Sequence, residues 1–488
     1  MTYTPPIPFG AWTPDLSSFG SPGTANVKNC IPSANGYRPL PGQNVFSDAL
    51  DARCQGAITV QRNTGAIHSY AGNADKLYRL VDATWTDASG ATYTIADDVF
   101  WEFAQFGETL IATNIDDAVQ SLTIGGATFG DLITSTLKPQ ARHICVTEDF
   151  VVLGNTSEGG TVYPNRVRLS GINDATDFDQ SATTQSDFND IEGEGWIQAL
   201  VGFGRDFYVF QERGIAVARY EGTPTIFRFD LVEKNRGAIA PGSVVPFGRF
   251  VFYLADDGFY MFTGSESVPI GKEKVDAWFY DTADAQYMHR ISAAIDPARA
   301  LVMWAFCENA ATPDRMLIYS WATQQWAMAE VTNQILFRDL SKGYTLDGLD
   351  NVSSTLEGVP FSLDSRVWAG GLILLSGFDG SNKLVNYNGT ALTAEIDTAE
   401  SQLVPGKVAK VEALRPLVEG SSATVTVSMG TRDTLQSNRS FATAASLNSI
   451  GEADVRSTAR YHTARIGISG GFEHAQGVQL DAAPWGRQ

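Results

Sequence analysis

The sequence has few of the residues from which metal sites and disulfide frameworks are built. Four cysteines among 488 residues form no CxxC pair, and five histidines stand far apart with no HExxH arrangement. Because a protein zinc site needs ligands at short, fixed spacings, this pattern predicts no metal site. We expect buried free thiols at all four cysteines, which are Cys30, Cys54, Cys145 and Cys307.

Long hydrophobic runs are also missing. No stretch approaches the ~18 apolar residues that a membrane-spanning helix needs. The first ten residues, MTYTPPIPFG, have neither the basic start nor the apolar stretch of a secretory signal. The sequence therefore predicts neither a secreted precursor nor a membrane protein. Helix-forming runs of Leu, Glu and Lys are scarce, whereas 27 Phe, 16 Tyr, 10 Trp and 46 Gly favour strands and tight turns.

Positively charged residues are fewer than negatively charged ones. The chain has 35 Lys and Arg against 55 Asp and Glu, a net charge of −20. Residues 395–488 hold ten acids and nine bases, so 45 acids and 26 bases remain for residues 1–394, a net charge of −19. Because proteins displace counterions from phosphates with Lys and Arg, this balance opposes ordinary nucleic-acid binding. Solubility alone is the other explanation of such acidity.

Sequence signatures of catalysis are absent. The chain has no P-loop or dinucleotide fingerprint, and no sialidase-type Ser-x-Asp-x-Gly-x-x-Trp box or WD-type Trp-Asp ending. Neighbouring carboxylates occur at Asp116/Asp117, at Asp256/Asp257 and within 187–194. Asp-Asp at a hairpin tip is mainly a turn signal. The sequence thus predicts a protein that is not an enzyme, with no catalytic residues, no metal and no cofactor.

Hairpin-like segments recur along the chain, each an apolar run, a turn of Asp, Asn, Gly or Glu, and a returning apolar run. They lie at 68–80, 110–124, 150–169, 206–220, 249–262, 300–321 and 372–387. Their turns are 41, 41, 57, 45, 53 and 69 residues apart. One four-stranded propeller blade takes about 40–50 residues. The pattern therefore predicts an all-β fold with a β-propeller of six to eight blades, seven being favoured.

The chain divides into three predicted parts. Residues 1–45 hold eight of the 20 prolines and form an extended Pro/Gly-rich segment that lacks a core of its own. The propeller is expected at 46–394, with a polar insertion at 341–360, a length of loop that is uncommon unless functional. Alternating residues in 423–429 and 461–468 predict a C-terminal β-sandwich or barrel module at 395–488.

Residues 29–42 read NCIPSANGYRPLPG, and a hairpin ending KLYRL at 76–80 follows. In the middle of the chain, residues 293–303 read AAIDPARALVM and residues 316–326 read MLIYSWATQQW. These stretches resemble the tail hub or nozzle proteins of short-tailed bacteriophages, and the two middle ones are similar to that family's strand, hairpin and closing Tyr/Trp strand. The order of a Pro/Gly-rich lead, a propeller and a β-rich end also agrees over the whole chain.

The resemblance implies a structural virion protein of the phage tail, made in the host cytoplasm. Such nozzles form a homo-oligomeric ring, usually a hexamer, below the head-to-tail adaptor protein. The ring continues the DNA channel, holds packaged dsDNA in, conducts it without sequence-specific binding, and offers attachment points for tail fibre or spike proteins. The family implies no catalytic residues and no membrane insertion.

Two sets of residues are the candidates for these roles. Asp347, Asp350 and Glu357 in the polar insertion are the candidate channel loop, which would narrow an acidic lumen. The apolar side chains of the lead segment are the candidate assembly contacts, namely Phe9, Trp12 and Tyr37. Other interpretations stay open: the lead could supply a strand that closes the propeller, and the protein could be a receptor- or carbohydrate-binding propeller or a protein-binding scaffold.

Overall fold

The computed structural model describes residues 5–341 and 370–485. This part of the chain contains 40 strands, β1–β40, two short 3₁₀ turns and one α-helix, α1 (Asp276–Thr282). None of its helices is long and apolar enough to cross a membrane. The chain is thus almost entirely β, as its aromatic and β-branched residues predict.

Seven units of four antiparallel strands follow one another, and we number them as blades one to seven. Blades one to four are β6–β9 (Gly56–Gln61, Ile67–Gly72, Leu77–Val81, Thr84–Asp87), β10–β13 (Glu102–Phe106, Thr109–Thr113, Gln120–Thr123, Gly130–Asp131), β14–β17 (Gln140–Val146, Val151–Glu158, Thr161–Leu169, Phe188–Asp190) and β18–β21 (Ile197–Phe203, Asp206–Gln211, Gly214–Gly222, Ile226–Lys234). Blades five to seven are β22–β25 (Val245–Phe247, Phe250–Ala255, Gly258–Phe262, Ser267–Pro269), β26–β29 (Ser292–Asp296, Leu301–Phe306, Arg315–Ser320, Gln325–Ala329) and β30–β32 (Ile335–Leu340, Ile373–Phe378, Lys383–Asn386) with β5 (Asn44–Ala49).

The blades close into a ring. The first strands of blades one, two, three and four contact in sequence, as do those of blades five, six and seven, and β30 of blade seven returns to contact β6 of blade one. Blades four and five share an apolar cluster that includes Phe210, Tyr253 and Phe262. Seven such units around one axis form a seven-bladed β-propeller, so the predicted fold is confirmed.

Blade seven is completed by the N-terminal side of the chain. Its fourth strand is β5, which pairs antiparallel with β32 so that Asn44 lies opposite Asn386 and Ala49 opposite Lys383. These hydrogen bonds join a strand from the N-terminal side of the chain to the last blade, and they therefore close the propeller ring. The strand crosses the predicted boundary between residues 45 and 46.

The hairpin of blade five shows why the local sequence folds as it does. Strands β23 and β24 are apolar runs that are buried along almost their whole length, and Asp256 and Asp257 form the turn between them. Gly258 follows with φ +143°, and a Cβ there would meet the Asp276 carboxylate at about 2.2 Å. Glycine is the residue that accepts both the positive φ and the close approach. The Asp-Asp pair is therefore a turn feature, as predicted.

Two further sheets form a β-sandwich. One contains β1 (Ile7–Pro8), β3 (Cys30–Ser33), β4 (Gly36–Pro39), β34 (Ala409–Glu419), β38 (Ala453–Ala459) and β40 (His474–Pro484). The other contains β2 (Thr24–Lys28), β33 (Ala394–Thr398), β35 (Thr424–Arg432), β36 (Ser440–Phe441), β37 (Ala445–Ser446) and β39 (Tyr461–Ser469). Leu414 and Leu480 from the first sheet join Val427 and Ile466 from the second in one apolar core. The predicted C-terminal module is thus a sandwich that also takes in four strands of the lead segment.

Strand β2 joins the sandwich to the propeller. It pairs parallel with β29 of blade six, where Lys28 lies opposite Met328, and antiparallel with β33, where Val27 lies opposite Ile396. A single ten-stranded sheet therefore runs from blade six into the sandwich. The same apolar core contains Trp304 and Trp326 of blade six, both completely buried.

All four cysteines are buried free thiols. Burial raises the pKa of each thiol far above its usual value. A protonated, inaccessible thiol neither binds metal nor reacts readily. The prediction for Cys30, Cys54, Cys145 and Cys307 is confirmed.

Candidate functional site

The predicted assembly contacts Phe9, Trp12 and Tyr37 lie inside the chain. Their exposed fractions are 4%, 3% and 0%. The indole of Trp12 packs edge-on against Trp278, with ring centroids 5.0 Å apart. The Tyr37 hydroxyl donates to the carbonyl of Gly10 at 2.8 Å. These residues are therefore not available to a neighbouring subunit. The prediction was wrong because the lead segment uses its apolar side chains to complete the sandwich core.

The predicted channel residues Asp347, Asp350 and Glu357 lie outside the described residues. The described chain on either side of them belongs to blade seven. There Ser341 donates its backbone N–H to Leu372, and Gly371 donates to Ser341. Those contacts hold Ser341 and Gly371 together between β30 and β31, the first two strands of the blade.

A cavity of about 280 Å³ opens where the first strands of several blades begin, and we call it the axial pocket. Glu102 of β10, His143 of β14 and Gln198 of β18 line it, together with residues that precede blades five and six, including His289. The first strands of a propeller surround its central axis. The pocket is therefore assembled from residues of several blades, which only ring closure brings together.

Glu102 holds the buried His143 in one orientation. Its Oε1 lies 2.7 Å from His143 Nδ1, and its Oε2 accepts the backbone N–H of Ile144 at 3.0 Å. A carboxylate can only accept, so Nδ1 of His143 donates. His143 is 1% exposed, and its Nε2 has no hydrogen-bond partner within the described chain.

A second imidazole borders the same pocket. His289 lies in the 3₁₀ turn Ala285–Arg290, and its buried Nε2 also has no partner in the part of the chain that the structure describes. Burial, and next the charge of Arg290, lowers the pKa of His289, so the ring is neutral at neutral pH. Arg290 in turn binds Asp97, which also accepts from Arg53 at 3.1 Å. This network ties the turn to the loop between blades one and two.

Trp196 stands at the pocket with 57% of its surface exposed, although it directly precedes the buried start of β18. Its carbonyl accepts the backbone N–H of Glu212 at 3.0 Å, which places that carboxylate nearby. Asn155 reaches the pocket from a β-bulge between Gly154 and Thr156, where its φ is +54°. Bulges of this kind redirect side chains and are common near binding sites.

A wider cavity of about 990 Å³ lies between blade six and the sandwich. Its lining mixes charges, with Arg38 and Arg299 against Glu419 and Glu473. Arg38 Nη2 lies 3.5 Å from Nε2 of His474, a long contact. This cavity is an open polar groove without a dominant charge.

Sequence reasoning did not find the axial pocket. Its residues lie scattered from about residue 98 to residue 289. The sequence also has neighbouring carboxylates within 187–194, but these side chains do not meet at one site. Asp190 is paired with Arg166 at 2.7 Å, and Asp187 accepts from Gln180 at 2.8 Å. The described residues contain no group of His, Cys, Asp and Glu side chains that could hold a metal ion. The one local signal of the pocket was a tryptophan, Trp196, after a polar Gly/Glu run.

No family model matches the chain, and no curated protein matches it.

Proposed function

We propose that this chain is a structural virion protein, one subunit of a six-membered ring that forms the tail nozzle of a short-tailed bacteriophage. The ring continues the DNA channel below the head-to-tail adaptor, retains packaged DNA and conducts it during ejection. Tail fibres or spikes attach to its outer surface. The resemblance of residues 29–42, 293–303 and 316–326 to nozzle proteins supports this proposal.

The observation that carries the proposal is the ten-stranded sheet shared by blade six and the sandwich. Two domains joined only by a linker move relative to each other by default, unless their interface is large and apolar. Here β2 is hydrogen-bonded to both modules, and one core contains Trp326 of the propeller together with Ile396 and Leu480 of the sandwich. Such a subunit has no free hinge at this junction, which suits the wall of a pressurised conduit.

The charge distribution also suits a conduit. Residues 1–394 carry 45 acids and 26 bases, a net charge of −19. Carboxylates repel phosphates over a Debye length of about 8 Å at physiological salt. A lumen slightly wider than the duplex would therefore keep DNA centred, whereas basic walls would bind each passing phosphate. A closed ring is the usual way to repeat one heterologous contact between identical subunits.

Imaging of the intact particle tests the ring. We expect identical copies of this chain, six in number, in a closed ring directly below the adaptor. A single copy per particle, or absence of the chain from purified particles, would contradict the proposal.

Retention of DNA tests the role of the ring. Particles assembled without the protein should fill and then lose their DNA, which becomes sensitive to added nuclease. Particles complemented with the wild-type chain are the matched control and should protect their DNA. If particles without the protein keep DNA as well as complemented ones do, the chain does not close the channel.

A further inference from the structure

The axial pocket has features that a nozzle wall does not require. Nε2 of His143 and Nε2 of His289 are both buried beside this cavity, and neither has a partner within residues 5–341 and 370–485. Folded proteins satisfy nearly all buried polar atoms, so each exception needs an explanation. Both exceptions lie beside this one cavity.

Trp196 adds an apolar surface to this polar site. Its indole is 57% exposed and lines the cavity, where it offers a flat apolar face. Planar polar groups lie around it, among them the amide of Gln198 and the carboxylate of Glu212. A ligand that fits must have a flat apolar face and many hydroxyl or amide groups on its edges. A pyranose sugar has both.

The charged side chains of the pocket disfavour binding of an acidic ligand. Asp98, Glu102 and Glu212 line it with three carboxylates, and Arg142 supplies one guanidinium. His289 is neutral because burial lowers its pKa. Phosphates and acidic sugars would therefore meet a net negative lining. An uncharged sugar meets no such repulsion, and its hydroxyls can donate to the carboxylates.

The size of the cavity limits the ligand. About 280 Å³ lies just below the ~300–1,000 Å³ typical of pockets for drug-sized ligands. We infer that the axial pocket binds one uncharged sugar unit, with its ring stacked on Trp196 and its hydroxyls bonded to Gln198 and Glu212. This inference goes beyond the nozzle role and does not rest on it. It concerns binding alone, and no bond is made or broken.

Titration of the purified chain with defined sugars tests the inference. The probes are the methyl glycosides of glucose, galactose, mannose and N-acetylglucosamine, with N-acetylneuraminic acid and inorganic phosphate as charged comparisons. Binding is followed by saturation-transfer NMR and calorimetry. We expect saturable binding of at least one neutral glycoside and weaker or no binding of the charged probes.

Two tryptophan variants make the test specific to the pocket. Trp485 is 55% exposed, close to the 57% of Trp196, but it belongs to the sandwich and lies beside Lys410. Trp196→Ala should weaken binding at least about tenfold, as expected when an aromatic anchor is removed, and Trp485→Ala should leave it unchanged. Gln198→Ala provides a second probe of the pocket if Trp196→Ala melts at a lower temperature than the wild type.

Three results would overturn the inference: no binding of any neutral glycoside, equal losses in the two tryptophan variants, or tighter binding of phosphate or the acidic sugar. Because the titration uses the isolated chain, each of these leaves the ring and DNA-retention results untouched. The two proposals therefore fail separately.

Discussion

Blades one to four and the sandwich are built from the chain in opposite ways. Every strand of these blades pairs only with strands adjacent to it in sequence. In the sandwich, β1 pairs with β40, placing Ile7 opposite Val478, and β4 also pairs with β40, placing Tyr37 opposite Ala475. The sandwich therefore forms only when the two ends of the chain meet.

Because of this difference, we expect the stability of blades one to four to depend on local contacts and that of the sandwich to depend on contacts between distant segments. The apolar clusters of blades one to four lie between neighbouring blades, for example around Trp101 and around Phe207. The sandwich shares its core with the lead segment and blade six. Pairings over such long sequence separations cost more loop-closure entropy than local hairpins do. We therefore expect changes in the lead segment to affect the sandwich and its shared core much more than blades one to four.

The largest effect is expected for Trp12→Ala. This substitution removes an indole that is 3% exposed and that packs on Trp278, so the free energy of unfolding should fall by about 4 kcal/mol. Hydrogen exchange should rise in β2 and β33 and stay unchanged in blades one to four. Leu16→Ala, at a lead residue that is 51% exposed, is the control and should change stability by less than about 0.5 kcal/mol. If hydrogen exchange rose equally in β2 and β33 and in blades one to four, the expected difference between the two regions would be contradicted.

An ion pair gives the next largest contrast. In the sandwich, Arg465 donates two hydrogen bonds of 2.8 Å to Asp397, whose side chain is 3% exposed. Arg465→Ala leaves that carboxylate buried without its cation and should cost about 3 kcal/mol. In the propeller, Arg205 meets Glu148 with both side chains more than half exposed, so Arg205→Ala should cost less than about 1 kcal/mol. Urea unfolding of both variants measures the contrast, and similar losses would contradict it.

Ser47 tests the closure of the propeller. Its hydroxyl accepts from Trp85 Nε1 at 2.9 Å and from the backbone N–H of Leu384 at 3.1 Å. Ser47→Ala leaves both donors unpaired at the closing strand β5 and should lower stability by about 2 kcal/mol. Val45→Ala, on the same strand but at a residue that is 53% exposed, is the control. Faster hydrogen exchange in β32 with the sandwich unchanged is the expected result, and the reverse pattern would exclude a closing role.

The smallest effect concerns pH, because two buried groups act in opposite directions. Burial lowers the pKa of His462 in the sandwich from 6.5 to about 4. The unfolded chain therefore takes up this proton first, and stability falls as pH drops from about 6.5 to about 4. Burial raises the pKa of Asp276 in α1 from 3.8 to about 6. Here the folded chain takes up the proton first, and stability rises as pH drops from about 6 to about 3.8.

Neutral variants separate the two contributions. Compared with the wild type, His462→Gln should lose less stability between pH 6.5 and 4.5, and Asp276→Asn should lose more. Denaturant unfolding at the two pH values measures these differences, since all other titrating groups are common to the three proteins. The opposite order would show that the two groups do not titrate as described.

Features that depend on residues close together in sequence were predicted correctly, whereas features that depend on contacts between distant residues were not. The blade-five hairpin was evident from its sequence because β23, the Asp256-Asp257 turn and β24 are contiguous, two short apolar runs on either side of a turn signal. The lead segment was recognised as lacking its own core. Its partner strand β40 lies more than 430 residues away, however, so nothing local indicated that Phe9 and Trp12 would be buried.

The sequence by itself determined the all-β class, the seven hairpins and the buried thiols, because strand alternation and turn residues act over a few positions. Only the tertiary structure decided that β5 closes the ring and that β2 joins propeller to sandwich. The axial pocket also belongs to this second group, since His143 lies in blade three, Trp196 directly before blade four and His289 in the turn before blade six. The physical reason is that burial and pairing between distant segments depend on which surfaces meet in the folded chain, and no local pattern specifies that meeting.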